Sequence, residues 1–298
     1  MESIAAVVVT YNRLNLLKEC VDSLRKQTRK SDAIIVIDNS STDGTTDWLR
    51  QQLDLKVITQ ANGGGAAGFY RGMKEAYDLG FDWIWVMDDD VEPAVTCLEK
   101  MFEANQACNN VFDVLQPNRK FKDKDDDWQY GTKFNFSNPF QPEAVDFIKI
   151  SEFGDERIRK IVSFPFEGPM FLRKVVDKVG FADIRFFIWY DDTDYSIRVY
   201  NAGFLTGLVK DAILYKKIIP PEKGIKIDWK MYYQIRNHII LDRKFGNPFI
   251  AISRAAYNNI RRMLIVTKQS IESKTFSNYF HEIRAIIKAV ADGFTFKY

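Results

Sequence analysis

Three consecutive carboxylates, Asp88-Asp89-Asp90, close the apolar run Trp83-Ile84-Trp85-Val86-Met87. A run of this composition predicts a buried strand of an α/β sheet. Its end then delivers three like charges to the carboxyl edge of the sheet, where ligands of open α/β sheets bind. Carboxylates held that close are unfavourable unless a cation sits among them. Oxygen donors at such an edge suit Mg²⁺ or Mn²⁺, ions commonly shared with the phosphates of a substrate. The plainer alternative is a solvated acidic turn capping the helix that follows Pro93.

A second acidic cluster lies in Trp189-Tyr190-Asp191-Asp192-Thr193-Asp194-Tyr195, after Phe186-Phe187-Ile188. Carboxylates at a helix start are favoured by the helix dipole, which is one reading of this run. Flanked by Trp and Tyr, they also make a base set against a sugar-stacking surface. The chain has two histidines, His238 and His281, neither with a metal-type partner at helical spacing. Both read as structural, so general-base work falls to a carboxylate.

Two further segments reach the same edge. Val8-Val9-Thr10-Tyr11-Asn12-Arg13 ends a first strand and Asp38-Asn39-Ser40-Ser41-Thr42-Asp43-Gly44-Thr45 ends a second. A carboxylate such as Asp38 at a second strand end can accept hydrogen bonds from a ribose hydroxyl or a base imide; a helix-capping turn is the alternative. Asn62-Gly63-Gly64-Gly65-Ala66-Ala67-Gly68 lets backbone approach a ligand and presents N–H groups at a helix start. It has neither the dinucleotide GxGxxG spacing after a first strand nor a Walker loop, which argues against both of those classes. Arg71 could reach a diphosphate or could simply be a solvated helix residue.

The elements that must position these groups follow from periodicity. Ile4–Thr10, Ala33–Asp38 and Lys56–Thr59 read as strands. A helix with Leu14, Leu17, Val21 and Leu24 on one face follows the first, Ser41-Thr42-Asp43-Gly44 opens another with capping chemistry, and the glycine-rich turn leads into a third through Tyr77. Repeated βα units imply a largely parallel sheet with right-handed crossovers. From Phe112 to Phe166 the pattern turns irregular, with Lys120–Asp127 densely charged, and predicts exposed loops and short strands acting as an acceptor-side lid. Residues 191–202 read as a helix with Gly203 as its C-cap. Beyond Pro220-Pro221, helical patterns cover Asp228–Phe245, Pro248–Lys268 and Phe276–Ala291, so an α/β domain over 1–220 and a helical region over 221–298 are expected.

Composition bounds the partners. The 298 residues carry a net charge of +2, which gives no nucleic-acid signature. Residues 247–298, however, hold eight Lys/Arg against three Asp/Glu. There Phe249, Ile250, Ile252, Tyr257, Ile260, Leu264 and Ile265 interleave with Arg254, Arg261, Arg262 and Lys268. Such a segment can lie on an anionic membrane surface, or it can pack on the rest of the chain or form a homo-oligomer interface. Cys20, Cys97 and Cys108 form no CxxC pair and fit a reduced, cytoplasmic protein without structural zinc. Glu2 leads straight into a strand without a basic n-region, so no signal peptide is expected. No uncharged apolar run reaches spanning length. The expectation is a soluble or peripheral protein, in the latter case at the inner face of the plasma membrane.

Val9-Thr10-Tyr11-Asn12, the Asp38–Thr45 segment, the Asn62 turn, Asp88–Asp90 and Asp191-Asp192 together resemble, in order and spacing, the inverting family 2 glycosyltransferases of the GT-A fold. The resemblance covers about residues 3–215. Asn62-Gly-Gly-Gly-Ala-Ala-Gly-Phe-Tyr-Arg-Gly-Met with Met87-Asp-Asp-Asp-Val is most similar to the bacterial galactofuranosyltransferase branch, with the rhamnosyltransferases as close cousins.

The resemblance implies a GT-A domain, a Rossmann-like mixed sheet with a nucleotide-sugar site, followed by a helical extension that Tyr232-Tyr233 and Arg236-Asn237 resemble. It implies that Thr10, Tyr11, Asn12, Arg13, Asp38, Asn62, Gly64, Arg71, Asp88 and Asp89 bind the nucleotide-sugar donor. Asp88 and Asp90 would hold Mn²⁺ or Mg²⁺, and Asp192 would be the base that deprotonates the acceptor hydroxyl. Gly168, Trp189, Tyr190 and Asp191 would stand on the acceptor side. The implied donor is a UDP-sugar, UDP-galactofuranose, and the implied acceptor a polysaccharide or lipid-linked glycan. A dTDP-rhamnose transferase and a catalytically silent glycan-binding scaffold are the alternatives. One departure stands out. Many relatives place a metal-binding His some twenty residues past the base, where this chain reads Leu214-Tyr215-Lys216-Lys217.

Overall fold

Every residue of the run Ile4–Thr10 is buried, and the run forms β1 at the centre of the first of two units. The computed structural model describes residues 2–122, 128–218, 228–272 and 278–297. The elements that follow β1 are α1 (Leu14–Arg25), β2 (Ala33–Asp38), α2 (Thr45–Leu49), β3 (Leu55–Thr59), α3 (Gly64–Asp78), β4 (Trp83–Asp88), β5 (Val91–Pro93) and α4 (Cys97–Ala107). Then come β6 (Val114–Phe121), β7 (Gln129–Phe134), β8 (Ala144–Lys149), β9 (Ile158–Ile161), β10 (Met170–Leu172), α5 (Arg173–Val179), α6 (Asp191–Asn201) and β11 (Thr206–Lys216). Three helices complete the described chain: α7 (Trp229–Phe245), α8 (Pro248–Glu272) and α9 (Tyr279–Thr295).

The main sheet has the order β3-β2-β1-β4-β10-β6-β11-β5, with β9 also paired to β11. Strands β1 to β4 run parallel, β10 is antiparallel to both of its neighbours, and β6 and β11 are again parallel. Successive side chains of a strand point to opposite faces. Ala6, Val8, Trp83, Trp85 and Met87 accordingly enter one core, while Ala5, Val7, Val9, Ile84 and Val86 enter the other. Burial on both faces is why these strands read as unbroken apolar runs. Register then sets the site: Thr10 pairs with Asp38 and Val9 with Asp88, so β1, β2 and β4 end together.

The expected α/β class holds, and the irregular stretch 112–166 is corrected. Its first strand, β6, is largely buried and sits inside the main sheet between β10 and β11. Buried Gln116, Asn118 and Arg119 break its apolar pattern, which is why it does not read as a core strand. β7 and β8 pair with each other as a separate two-stranded sheet. Of the charged run Lys120–Asp127, residues 123–127 lie outside the described residues, as do Pro220-Pro221. Within the Ser41–Gly44 turn before α2, Asp43 accepts the Thr45 N–H at 3.2 Å.

The first unit comprises residues 1–133, 146–185 and 191–219, and the second comprises 134–145, 186–190 and 220–298. The division is less simple than a cut near residue 220, because two upstream segments belong with the helices. Asn237 Nδ2 donates to the carbonyls of Phe186, Ile188 and Trp189 at 2.8, 2.9 and 2.9 Å. Buried Arg254 donates to the carbonyls of Asn135 and Asn138, both at 3.0 Å, and ion-pairs with Asp242. Ile235, Ile239, Ala255, Val266, Ile286 and Ala289 form that unit's apolar core.

Candidate active site

The turn after β4 holds its three carboxylates in three different environments. Asp89 is buried; its Oδ2 accepts the Thr10 hydroxyl at 2.7 Å and its Oδ1 accepts Arg13 Nη1 at 3.0 Å. Burial pushes its pKa up to about 6, against the opposing pull of Arg13 and of Thr10. Both of its oxygens thus tie the ends of β1 and β4 together. Asp90 Oδ2 lies 3.4 Å from Arg13 Nη1, while its buried Oδ1 has no hydrogen-bond partner. Asp88 is driven well above the ordinary carboxylate range by burial and then by the charge of Asp90, with Lys216 acting in the opposite direction.

Lys216, at the end of β11, ion-pairs with Glu167, and Arg119 Nη1 meets the other oxygen of Glu167 at 2.6 Å. The Arg119 guanidinium lies 4.2 Å from the centre of the Trp128 ring. Glu167 and Arg119 were not singled out from the sequence. Arg119 lies in the stretch that reads as irregular, and Glu167 stands alone before Gly168-Pro169 with no partner nearby in sequence.

At the start of α6, Asp191 and Asp192 both have raised pKa values, but to different extents. Burial, then the charge of Asp192, lifts Asp191 to about 8. Burial also lifts Asp192, here to about 6; the Thr193 backbone N–H, 2.6 Å away, opposes the rise, Glu167 adds to it and Arg119 counters it. Burial raises both, and Asp191 further because the charge of Asp192 adds to it, so of these two adjacent carboxyls Asp192 is the readier to ionise. Asp194 is fully buried and accepts Arg198 Nε at 2.8 Å, which anchors the helix.

The remaining candidates divide between binding edge and framework. Asp38 is fully buried; it accepts the Ser41 N–H at 2.9 Å and the Thr46 hydroxyl at 2.6 Å, and so shapes the loop after β2. Asn12 joins that loop by accepting the Thr42 N–H at 2.6 Å, and its own N–H donates to the Ser41 hydroxyl at 2.9 Å. Tyr11 is exposed beside them. Asn62 Oδ1 accepts the Gly64 N–H at 2.9 Å at the start of α3. Exposed Arg71 pairs with Glu75 at 3.3 Å, the behaviour of a solvated helix residue. Gly168, with φ of 85°, accepts Trp85 Nε1 on its carbonyl at 2.8 Å and donates to Val86 at 3.0 Å. In the second unit, Trp189 is half-exposed and Tyr190 stacks on buried His238 with ring centres 5.1 Å apart.

A divalent cation fits the turn after β4. Asp90 Oδ1 is a buried oxygen with no donor, and the burial and, after it, the Asp90 charge that raise Asp88 are both offset by a cation at this turn. Among the described residues, no group of three or more His, Cys, Asp or Glu forms a complete cage. Asp88 and Asp90 are the residues that would hold such an ion, with the rest of its oxygen ligands coming from outside the chain.

Sheet order, site position and structural likeness together define a GT-A fold. Against S. aureus TarS 1–349 crystallised with UDP-GlcNAc, the TM-score is 0.57 at 14% identity, covering 97% of this chain and 81% of that one. The chain covers 41% of a longer TarS chain, with a TM-score of 0.56. The family model "Glycosyl transferase family 2" matches residues 5–180, and the chain belongs to that family. Galactofuranosyltransferase GlfT1 of Mycolicibacterium smegmatis is 28% identical over 208 residues, 69% of this chain and 68% of that protein. GlfT1 of Mycobacterium tuberculosis is 29% identical over 218 residues, 71% and 69% of the two chains. The dTDP-rhamnosyl transferase RfbF of Shigella flexneri is 25% identical over 282 residues, 90% and 89% respectively. The chain is a glycosyltransferase.

Proposed function

We propose that this glycosyltransferase is inverting and transfers galactofuranose from UDP-galactofuranose to a polysaccharide or lipid-linked glycan. The observation that carries the reading is the Arg119–Glu167–Lys216 chain of charges, which acts on Asp88 through Lys216 and on Asp192 through Glu167 and Arg119. A carboxylate assigned to the donor and one assigned to the acceptor thus share one electrostatic framework, which supports reading them as parts of one site.

In this reading the Thr10–Arg13 turn and the loop shaped by Asp38 receive the nucleoside, with Asn62 and Gly64 at the start of α3 beside the donor. Asp88 and Asp90 would hold Mn²⁺ or Mg²⁺. When bound, the ion neutralises charge on the diphosphate. Asp192, the less raised carboxyl of its pair, takes the proton of the acceptor hydroxyl as its oxygen attacks the anomeric carbon. The bond from that carbon to the diphosphate oxygen breaks on the opposite face, and UDP leaves with the electron pair. A catalytically silent scaffold is disfavoured by the presence of both Asp192 and the Asp88–Asp90 run in this chain.

The longest of the alignments above, to a dTDP-rhamnosyl transferase, favours dTDP-rhamnose as a second reading. Incubation with UDP-galactofuranose, UDP-galactopyranose, UDP-GlcNAc and dTDP-rhamnose, with release of nucleoside diphosphate as readout, separates the two. Faster turnover of dTDP-rhamnose than of UDP-galactofuranose replaces the first reading with the second. NMR of the anomeric configuration of the product tests inversion.

A further inference from the structure

Helix α8 is amphipathic in the reverse sense to a core helix. Its inner face buries Arg254, Asn259 and Ser270 along with Ile250, Ala251, Ala255 and Val266. Its largest apolar side chains point outward: Phe249, Ile252, Ile260, Leu264 and Ile271 are each between 58% and 70% exposed. At 100° per residue, Phe249, Ile260, Leu264 and Ile271 fall within one narrow arc, with Ile252 on its flank. Exposed Arg261 and Lys268 border the other side of that arc, and Glu272, the acid at its end, lies 3.7 Å from Lys268. A surface of this kind marks an interaction site, because single exposed apolar residues are ordinary whereas a continuous stripe is not.

We propose that this face of α8 docks on an anionic lipid bilayer. Charge selects the occupant. Among the described residues of 247–298, five exposed bases, Arg261, Lys268, Arg284, Lys288 and Lys297, stand against the three acids Glu272, Glu282 and Asp292, while Arg254 is buried against Asp242, so contact between two copies made through this region brings two surfaces of net positive charge together. An anionic lipid surface complements the same charge while its acyl boundary accepts the apolar arc. The helix lies along the interface and does not cross it: among the described residues no helix is long and apolar enough to span a membrane. The inference does not depend on which sugar is transferred.

The test is flotation of the full chain with vesicles of phosphatidylcholine alone or with 30% phosphatidylglycerol, at low and high salt, beside Ile260→Glu/Leu264→Glu and Arg261→Ala/Lys268→Ala. These four side chains are on the surface, and circular dichroism and UDP affinity confirm that each variant is folded. Binding of the parent should require phosphatidylglycerol and fall at least tenfold at high salt. The Glu variant should lose at least tenfold in partitioning, and the Ala variant should lose the preference for anionic vesicles. Parent and Glu variant floating alike would overturn the proposal. So would absence of vesicle binding together with a dimer, seen by light scattering, that the Glu variant dissociates.

Discussion

Glu167 accepts a 2.6 Å hydrogen bond from Arg119, and 25 residues later in the chain Asp192 has its ionisation shaped by both members of that pair. Glu167 raises the Asp192 pKa by repulsion and Arg119 lowers it. Removing the Glu167 charge therefore lowers it twice over, once by lost repulsion and once by leaving the guanidinium uncompensated. In Glu167→Gln the acid limb of the kcat/KM–pH profile, set near pH 6 by Asp192, should move to lower pH by roughly half a unit or more. A limb that stays in place while overall activity drops would show that Glu167 acts only on the framework.

Asp192→Asn keeps the size of the side chain and removes the proton acceptor. UDP affinity by calorimetry should change little, whereas kcat should fall by about 10²- to 10⁴-fold, the usual contribution of a general base. Transfer at close to the parent rate would remove Asp192 from the role and turn attention to Asp191 and Asp194.

Asp90→Asn keeps the shape of the turn after β4 but weakens the one oxygen there that is buried without a partner. UDP should bind the parent more tightly in Mn²⁺ than in EDTA, and the substitution should abolish that difference. Lys216 supplies a fixed positive charge to the same carboxylates. Lys216→Met should consequently weaken UDP binding in EDTA by more than it does in Mn²⁺. Equal UDP affinity of the parent in both conditions would dismiss the ion and leave Lys216 as the counter-charge.

What could be read in the sequence was whatever is local. The apolar runs of β1, β2 and β4 are continuous because both faces are covered, and their acidic or Asn-rich ends mark one edge. Asp191 and Asp192 were visible because they begin a helix. The Glu167 network was not, because its members come from β6, the segment before β10 and β11, and no spacing rule links residues 119, 167 and 216. β6 itself was obscured by buried polar residues whose partners are distant in sequence: Asn118 donates to the Lys210 carbonyl at 3.2 Å and Arg119 pairs with Glu167. The role of Asp89 was hidden for the same reason, since Thr10 and Arg13 are more than seventy residues away in sequence.

The glycine-rich start of α3 reads as a place where backbone approaches a ligand, yet its later glycines are held by packing. A Cβ on Gly72 would lie 2.2 Å from Val7 Cγ1 and 3.2 Å from Ile37 Cγ1, both in the centre of the sheet. Neither β-branched neighbour can rotate away without disturbing a fully buried strand. On Gly65 of the same helix the nearest atom to an added Cβ is Phe69 Cε2 at 3.9 Å, an ordinary contact. Gly72→Ala should therefore destabilise the fold by about 1–3 kcal/mol, as overpacking does. Gly65→Ala should be neutral or stabilising by up to roughly 1 kcal/mol, because alanine is the better helix former. Urea unfolding of the two variants beside the parent measures the contrast. If Gly72→Ala were as stable as Gly65→Ala, α3 would not be seated on β1 as closely as the Val7 contact requires.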